Sequence, residues 1–466
     1  MNTAQTPRSG GHILADQLKA MGADTVFCVP GESFLDLLDG LHDHADSIRT
    51  IVCRHEGGAA NMADAYAKMT GKPGICAVTR GPGATNASNG VHTAFQDSTP
   101  MILLVGQVGR SMVDREAFQE MDYRRVFGEM AKWVAQIDDA SRIPEYISRA
   151  WKTAISGRPG PVVLALPEDM LTDAVAVADV VRTAPSDPAP GAQSLSRFND
   201  LLAKAKKPLM LVGGPGWSAE VAEQAMRFAE RQGLPVATSF RCQDYVDNDH
   251  PNYVGVVGIA PSPKLRKRIA EEVDLLIVVG SRLGEMTTQG YGLINIPDPQ
   301  MDFVHIHPAG EQLGQVYNPT LGIVSSAGAF FDAVNTLPEG DGCTAWADWV
   351  AEQRADYEAF LQPTDVPGDL NMSHVIRHIT EVMPKDTVLT NGAGNYTVWA
   401  HRFHRHRAYR TQLAPTSGSM GYGVPAAIAA KLVAPEKPVI ALAGDGCFLM
   451  AGQELATAAQ YGLDVI

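Results

Sequence analysis

Short apolar runs alternating with helix-like stretches constrain this chain more than any other feature. Between Gly22 and Pro167 the runs are Val26 to Val29, Ile51 to Cys53, Ile75 to Val78, Met101 to Val105 and Val162 to Leu166. Runs that are apolar throughout, and spaced widely enough for a helix between them, read as strands covered on both faces, so a parallel α/β sheet is predicted. The pattern returns twice. A strand at Leu209 to Val212, a helix near Ala219 to Gln232 and buried strands at Leu275 to Val279 and Phe303 to Ile306 predict a Rossmann-like middle domain. Strands at Thr387 to Thr390 and Val439 to Ala443 predict a third. The breaks fall at Thr183 to Gln193, TAPSDPAPGAQ, and in a loose segment after Leu337 that ends in PTDVPGD at Pro363 to Asp369. The expected fold is therefore α/β, with three domains each built on a mostly parallel sheet: 1–183, 194–337 and 370–466, joined by linkers at 184–193 and 338–369.

Composition removes several function classes. With 466 residues, 45% of them hydrophobic and 19% charged, the chain can fill several cores and leaves little room for long disorder. A net charge of -14 disfavours nucleic acid and membrane surfaces as partners. The N-terminus shows no basic stretch leading into an apolar core, and no apolar run is long enough to span a bilayer, so a cytoplasmic protein is expected. The six cysteines, Cys28, Cys53, Cys76, Cys242, Cys343 and Cys447, form no CxxC pair and read as buried reduced thiols. The basic run His401 to Arg407, HRFHRHR, reads as a solvated helix end.

Two turns look chemical. In VIALAGDGCFLMAGQELATA a buried strand runs through Gly444, Asp445 and Gly446 into a helix. A carboxylate at that place can hold Mg²⁺, while flanking glycines admit a diphosphate to a helix N-terminus. A second GDG at Gly340, Asp341 and Gly342 has no strand before it and reads as a plain turn. In IVCRHEGG, Glu56 stands directly after a strand and before a helix that begins near Ala59, which aims it into the crevice at the strand ends. AVTRGPGATNASNG joins a strand to a helix through a Gly-Pro-Gly turn suited to backbone contact with a ligand. Taken singly, Glu56 could be a first-turn helix acid and GPG ordinary turn chemistry.

The order of RHEGGAANMADAYAKMTGKPG, TRGPGATNASNGVHTAFQDSTPMILLVGQ, AFQE, GSMGYGVPAAIAAK and GDG resembles that of the acetohydroxyacid (acetolactate) synthase-like family of thiamine diphosphate enzymes, over essentially the whole chain. The resemblance makes 1–183 a pyrimidine-binding domain, 194–337 a central domain and 370–466 a diphosphate-binding domain, and it implies thiamine diphosphate and Mg²⁺ as cofactors. Glu56 takes the position of the glutamate that hydrogen-bonds the aminopyrimidine ring and promotes loss of the thiazolium C2 proton, a task for a carboxylate able to share a proton with a ring nitrogen. Pro30, Gly31, Thr79, Gly81, Pro82, Gly83 and Asn86 match residues that line the cofactor, and Gln119 of AFQE one that faces the reacting carbon; apart from the resemblance, Gln119 would be an ordinary helix surface residue. Ser419 and Met420 belong to GSMGYG, where Met420 matches the apolar residue that wedges between the cofactor's rings; by pattern alone it is a core methionine. Gly392, Gly394 and Asn395 match the turn near the diphosphate, although the family typically carries Gln-His where this chain has Asn395-Tyr396. Asp445 matches the metal ligand, with Gly444 and Gly446 around it. The family's second metal ligand, an asparagine further along, has no counterpart, and the sequence given reads as the ordered portion of a longer protein.

The middle domain binds FAD in synthases of this family. LVGGPG at Leu211 to Gly216 is a weak dinucleotide signal, and Gly284 and Glu285 stand where the family has an acidic pair, so FAD is possible but disfavoured. Arg282 aligns with an arginine that engages an acceptor carboxylate, a bidentate task suited to guanidinium, although it could equally be structural. The implied activity is decarboxylation of a small-molecule 2-oxo acid with carboligation, by a homodimer or homotetramer. The alternatives are a simple 2-oxo acid decarboxylase and a non-catalytic scaffold, and the retention of Glu56 and Asp445 argues against the scaffold. A nicotinamide dehydrogenase would need a complete GxGxxG with a ribose-binding acid, which is not found.

Overall fold

The computed structural model describes residues 6–184, 186–337 and 342–466, without the side chains of Gly342 and Cys343. The second GDG therefore lies, but for its last residue, outside the described residues. The chain forms two compact units: Met1–Ser186 with Thr390–Ala393 and Ser417–Ile466, and Asp187–Leu389 with Gly394–Thr416.

The first unit is built on a six-stranded sheet in the order Arg49–Val52, Thr25–Cys28, Gly74–Val78, Met101–Gln107, Pro161–Pro167, Trp133–Gln136. Every neighbouring pair runs parallel. Gly74–Val78, Met101–Gln107 and Pro161–Pro167 are buried at every position, which is why they read as unbroken apolar runs rather than as alternation. Trp133–Gln136 was not legible as a strand: it is an edge, and only Ala135 in it is buried. Two helices begin at the strand ends and carry the candidate chemistry, Glu56–Thr70 and Pro82–Asp97. Glu56–Thr70 is apolar around most of its circumference and also packs against Gly423–Val433 of the C-terminal segment. In that segment Val439–Leu442 is flanked by Ile466, whose N–H donates to the Val439 carbonyl at 3.0 Å.

The second unit carries another six-stranded parallel sheet, ordered Tyr253–Val256, Val236–Thr238, Pro208–Val212, Leu275–Val279, Asp302–His307, Leu321–Val324. The helix Ala219–Gln232 falls where its periodicity places it, capped by Ser218 at one end and by Gly233 in the left-handed region at the other. Within this unit the reading of His401 to Arg407 is corrected. His401, His404 and His406 are 5%, 6% and 1% exposed, so the run is an interior segment rather than a solvated end. Burial, with Arg241 adding to it, pushes the His401 pKa down to about 3, and burial with Arg407 and Arg405 takes His404 down to about 4. The three arginines are only partly buried while Phe403 and the histidines are buried, a difference that charge along the sequence does not show. The cysteines behave as expected: Cys28, Cys53, Cys76, Cys242 and Cys447 are free and buried.

Candidate active site

Glu56 opens its helix directly after the edge strand Arg49–Val52. His55 caps the helix, its Nδ1 accepting the Gly57 N–H at 3.0 Å. The Glu56 carboxylate, half-buried, accepts the Asn86 side-chain amide at 3.0 Å, which ties the two candidate helices together at their first turns. A Cβ on Gly83 would stand 3.2 Å from Glu56 Oε1. Glycine at 83 thus leaves the carboxylate room beside the turn.

The Gly-Pro-Gly turn is held from behind. Gly81 has φ 52 and ψ −104, a conformation that only glycine adopts without strain, and its N–H donates to the Tyr123 hydroxyl at 3.0 Å. A Cβ there would meet Gln119 Cβ at 2.9 Å. Gln119 itself sits in a loop, not on a helix surface, and its φ of 65, with 64 at Asp114 and 51 at Glu116, marks a tightly folded segment. Glu120 holds that loop by accepting the Asp114 and Ala117 N–H groups at 2.7 and 2.9 Å. Pro30 and Gly31 close the same end of the sheet: a Cβ on Gly31 would lie 2.6 Å from Thr79 Cβ, and Ser33 shares a 2.9 Å hydrogen bond with the Thr79 hydroxyl. Glu56, Asn86, Gly81, Pro82, Gly83, Thr79, Gly31 and Gln119 therefore gather at one end of one sheet.

The glycine-aspartate turn belongs to the same unit. Gly444 precedes the short helix Asp445–Leu449, and the Asp445 carboxylate is exposed. A Cβ on Gly446 would stand 3.2 Å from Met420 Cε, so the methionine tip overlies this turn. Met420 is 40% exposed, which corrects its reading as a core methionine. Ser419 donates to the Asn89 side-chain oxygen at 3.0 Å, and Gly421 N–H to Cys447 Sγ at 3.1 Å. Gly392 is buried in the first unit, whereas Gly394, with φ 141, and exposed Asn395 belong to the second. Half-buried Arg282 also belongs to the second unit, in the loop after Leu275–Val279.

Matches to known families identify the kind of chain that carries these turns. Residues 8–126 match the thiamine pyrophosphate enzyme N-terminal TPP binding domain, 195–334 the central domain and 392–466 the C-terminal TPP binding domain. The acetolactate synthase large subunit of Corynebacterium glutamicum is 32% identical, across 98% of this chain and 74% of that protein. The probable acetolactate synthase large subunit of Methanocaldococcus jannaschii is 32% identical, across 98% and 79%. The chain belongs to the acetolactate synthase family of thiamine diphosphate enzymes. A more distant member, the isozyme 2 large subunit of Escherichia coli, is 29% identical across 96% and 80%.

The residues present suit the family's cofactor. The glycines at 444 and 446 leave a backbone turn open at a helix start, which fits a diphosphate, and the exposed Asp445 offers one hard oxygen ligand. Among the described residues no group of three His, Cys, Asp or Glu side chains could hold a metal alone. Two contributors escaped the sequence reading. Arg80, 7% exposed, pairs with Glu168 at 2.6 Å and Glu32 at 3.2 Å and braces the Gly-Pro-Gly turn. Glu454, wholly buried, sits in the run ELATAA; an acid at the head of an apolar helical run was the available signal.

Proposed function

We infer that this chain is a thiamine diphosphate-dependent carboligase of the acetolactate synthase type, acting on 2-oxo acids. The observation that carries the reading is the Glu56 carboxylate, fixed by Asn86 at 3.0 Å at the end of a parallel sheet where the family binds its aminopyrimidine ring. Thiamine diphosphate, when bound, supplies the electron sink through which a 2-oxo acid loses CO₂. Glu56 would hold the proton that the ring nitrogen exchanges, Asn86 keeps the carboxylate aimed, and the Gln119 backbone and Cβ lie against the Gly81 turn. Asp445 takes one position on Mg²⁺, and Met420 supplies apolar surface above the glycine turn.

The middle unit supports a flavin-free reading. A Cβ on Gly213 would lie 1.8 Å from Ser239 Oγ and one on Gly214 2.0 Å from the Gly280 carbonyl oxygen. The protein's own backbone and side chains account for those glycines without a dinucleotide. We further propose that the working unit is a homodimer or larger. The support is apolar surface around the glycine-aspartate turn: Phe448, Leu449, Met450 and Leu455 are 40%, 79%, 59% and 42% exposed. For membranes, no helix among the described residues is long and apolar enough to cross one.

The test is CO₂ release from a panel of 2-oxo acids with and without thiamine diphosphate and Mg²⁺, with the products identified. Cofactor-dependent CO₂ release with a 2-hydroxy-3-oxo acid product is expected. An aldehyde as sole product would point to a simple decarboxylase, and no turnover with any 2-oxo acid would overturn the reading.

A further inference from the structure

The strand that delivers Glu56 is an edge strand, so one side of its backbone lacks a strand partner. Side chains from residues 454–461 take that place. Tyr461 accepts the Val52 N–H at 2.8 Å and donates to the Thr50 carbonyl at 3.3 Å. Further along, Glu454 Oε1 accepts the His55 N–H at 2.9 Å and the Arg54 N–H at 3.1 Å, and Oε2 accepts the Thr457 hydroxyl at 2.6 Å. The carboxylate is 0% exposed, and a Cβ on Gly58 would stand 2.3 Å from its Oε1. A buried charge is costly unless several donors meet it, and here the donors are the Thr457 hydroxyl and the two backbone groups immediately before Glu56.

We propose that Glu454 is a positioning residue for Glu56, registering the proton-handling carboxylate against the segment that carries Asp445. The proposal rests on the role of Glu56 given above. Asp445 and Glu454 lie on consecutive short helical segments, Asp445–Leu449 and Gly452–Glu454, so the metal ligand and the brace are parts of one piece of chain. Gly58 is glycine because the brace needs the space above it. When the brace is lost, the Arg54–His55 backbone gains freedom and Glu56 swings with it.

The test uses Glu454→Gln, which keeps the packing volume but offers only one acceptor oxygen, and Gly58→Ala, which displaces the same carboxylate by contact. In the cofactor-free protein both variants should show faster amide hydrogen exchange at Arg54 and His55, with the rest of the sheet unchanged. With thiamine diphosphate and Mg²⁺ added, the deuterium exchange rate at the cofactor's C2 should fall about tenfold, while cofactor affinity stays within about twofold of the parent. Unchanged amide exchange at Arg54 and His55, or C2 exchange within about twofold of the parent, would overturn the proposal. Parent protein and Glu56→Gln run alongside keep the two readings apart. If the parent does not accelerate C2 exchange, the Glu56 role fails; if it does and Glu454→Gln matches it, only the positioning role fails.

Discussion

Lys68→Met would measure what a buried ion cluster costs when its ammonium is removed. Lys68 Nζ pairs with Asp64 at 2.8 Å, with Asp97, and with the Tyr422 hydroxyl at 3.2 Å. Asp64 is 0% and the Asp97 side chain 2% exposed, so neither carboxylate can recover the lost charge from water. Methionine fills the stem's volume, which leaves charge as the main change. Removing one partner of a buried pair costs about 3–5 kcal/mol, and the 20% exposure of the Lys68 side chain places this case toward the lower end. For a unit of this size that is a fall in melting temperature of about 10 °C. The loss should depend on pH. Burial, with Asp97 adding its charge, already holds the Asp64 carboxyl above its usual range, while Lys68 and Tyr422 oppose the shift. Without Lys68 the folded-state value rises further. A carboxyl whose folded value is raised stabilises the fold below its unfolded value, and that contribution is lost as pH rises through the folded one. The deficit of the variant should therefore be small near pH 4.5 and widen by pH 8. Thermal unfolding at the two pH values is the assay. A deficit under about 1 kcal/mol at pH 8, or one equal at both pH values, would refute the reasoning.

Glu56→Gln should keep the fold and bind cofactor yet lose most turnover, because the amide cannot exchange a proton with the pyrimidine; NMR of the C2 proton shows whether it does. Asp445→Ala should weaken Mg²⁺-dependent binding of thiamine diphosphate more than it lowers the melting temperature, and titration calorimetry with equal affinities would dismiss the ligand role. The buried His401 and His404 have folded values of about 3 and about 4 against an ordinary 6.5, so the stability they contribute is present above pH 6.5 and drains as pH falls toward 4, by up to about 3 kcal/mol for each. Urea midpoints between pH 7.5 and 4.5 should fall in the parent, and a His404→Gln variant should show a shallower slope.

The strand Leu275–Val279, buried at every position, and the helix Ala219–Gln232 were legible almost to the residue. Trp133–Gln136, Val236–Thr238 and Tyr253–Val256 were not, because each is too short or too mixed for periodicity to resolve. At the site, Glu56 and the glycine turns stood out because strand, turn and helix follow one another within a few residues. Glu454 and Arg80 did not, since each acts on backbone or carboxylates far away in sequence. His404 was misread because local charge says nothing about the neighbouring elements that cover it.

The brace between Glu454, Tyr461 and the Arg49–Val52 strand also bears on how the chain is made. The contact from Val52 to Tyr461 spans 409 positions, and the whole of Asp187–Leu389 is synthesised between them. During translation the first sheet therefore stands with a bare edge while the second unit is already able to fold. Closing so long a loop costs only slowly growing entropy, but it arrives late. For that interval the exposed edge is a place where two nascent chains can pair wrongly, and folding yield should fall as local chain concentration rises.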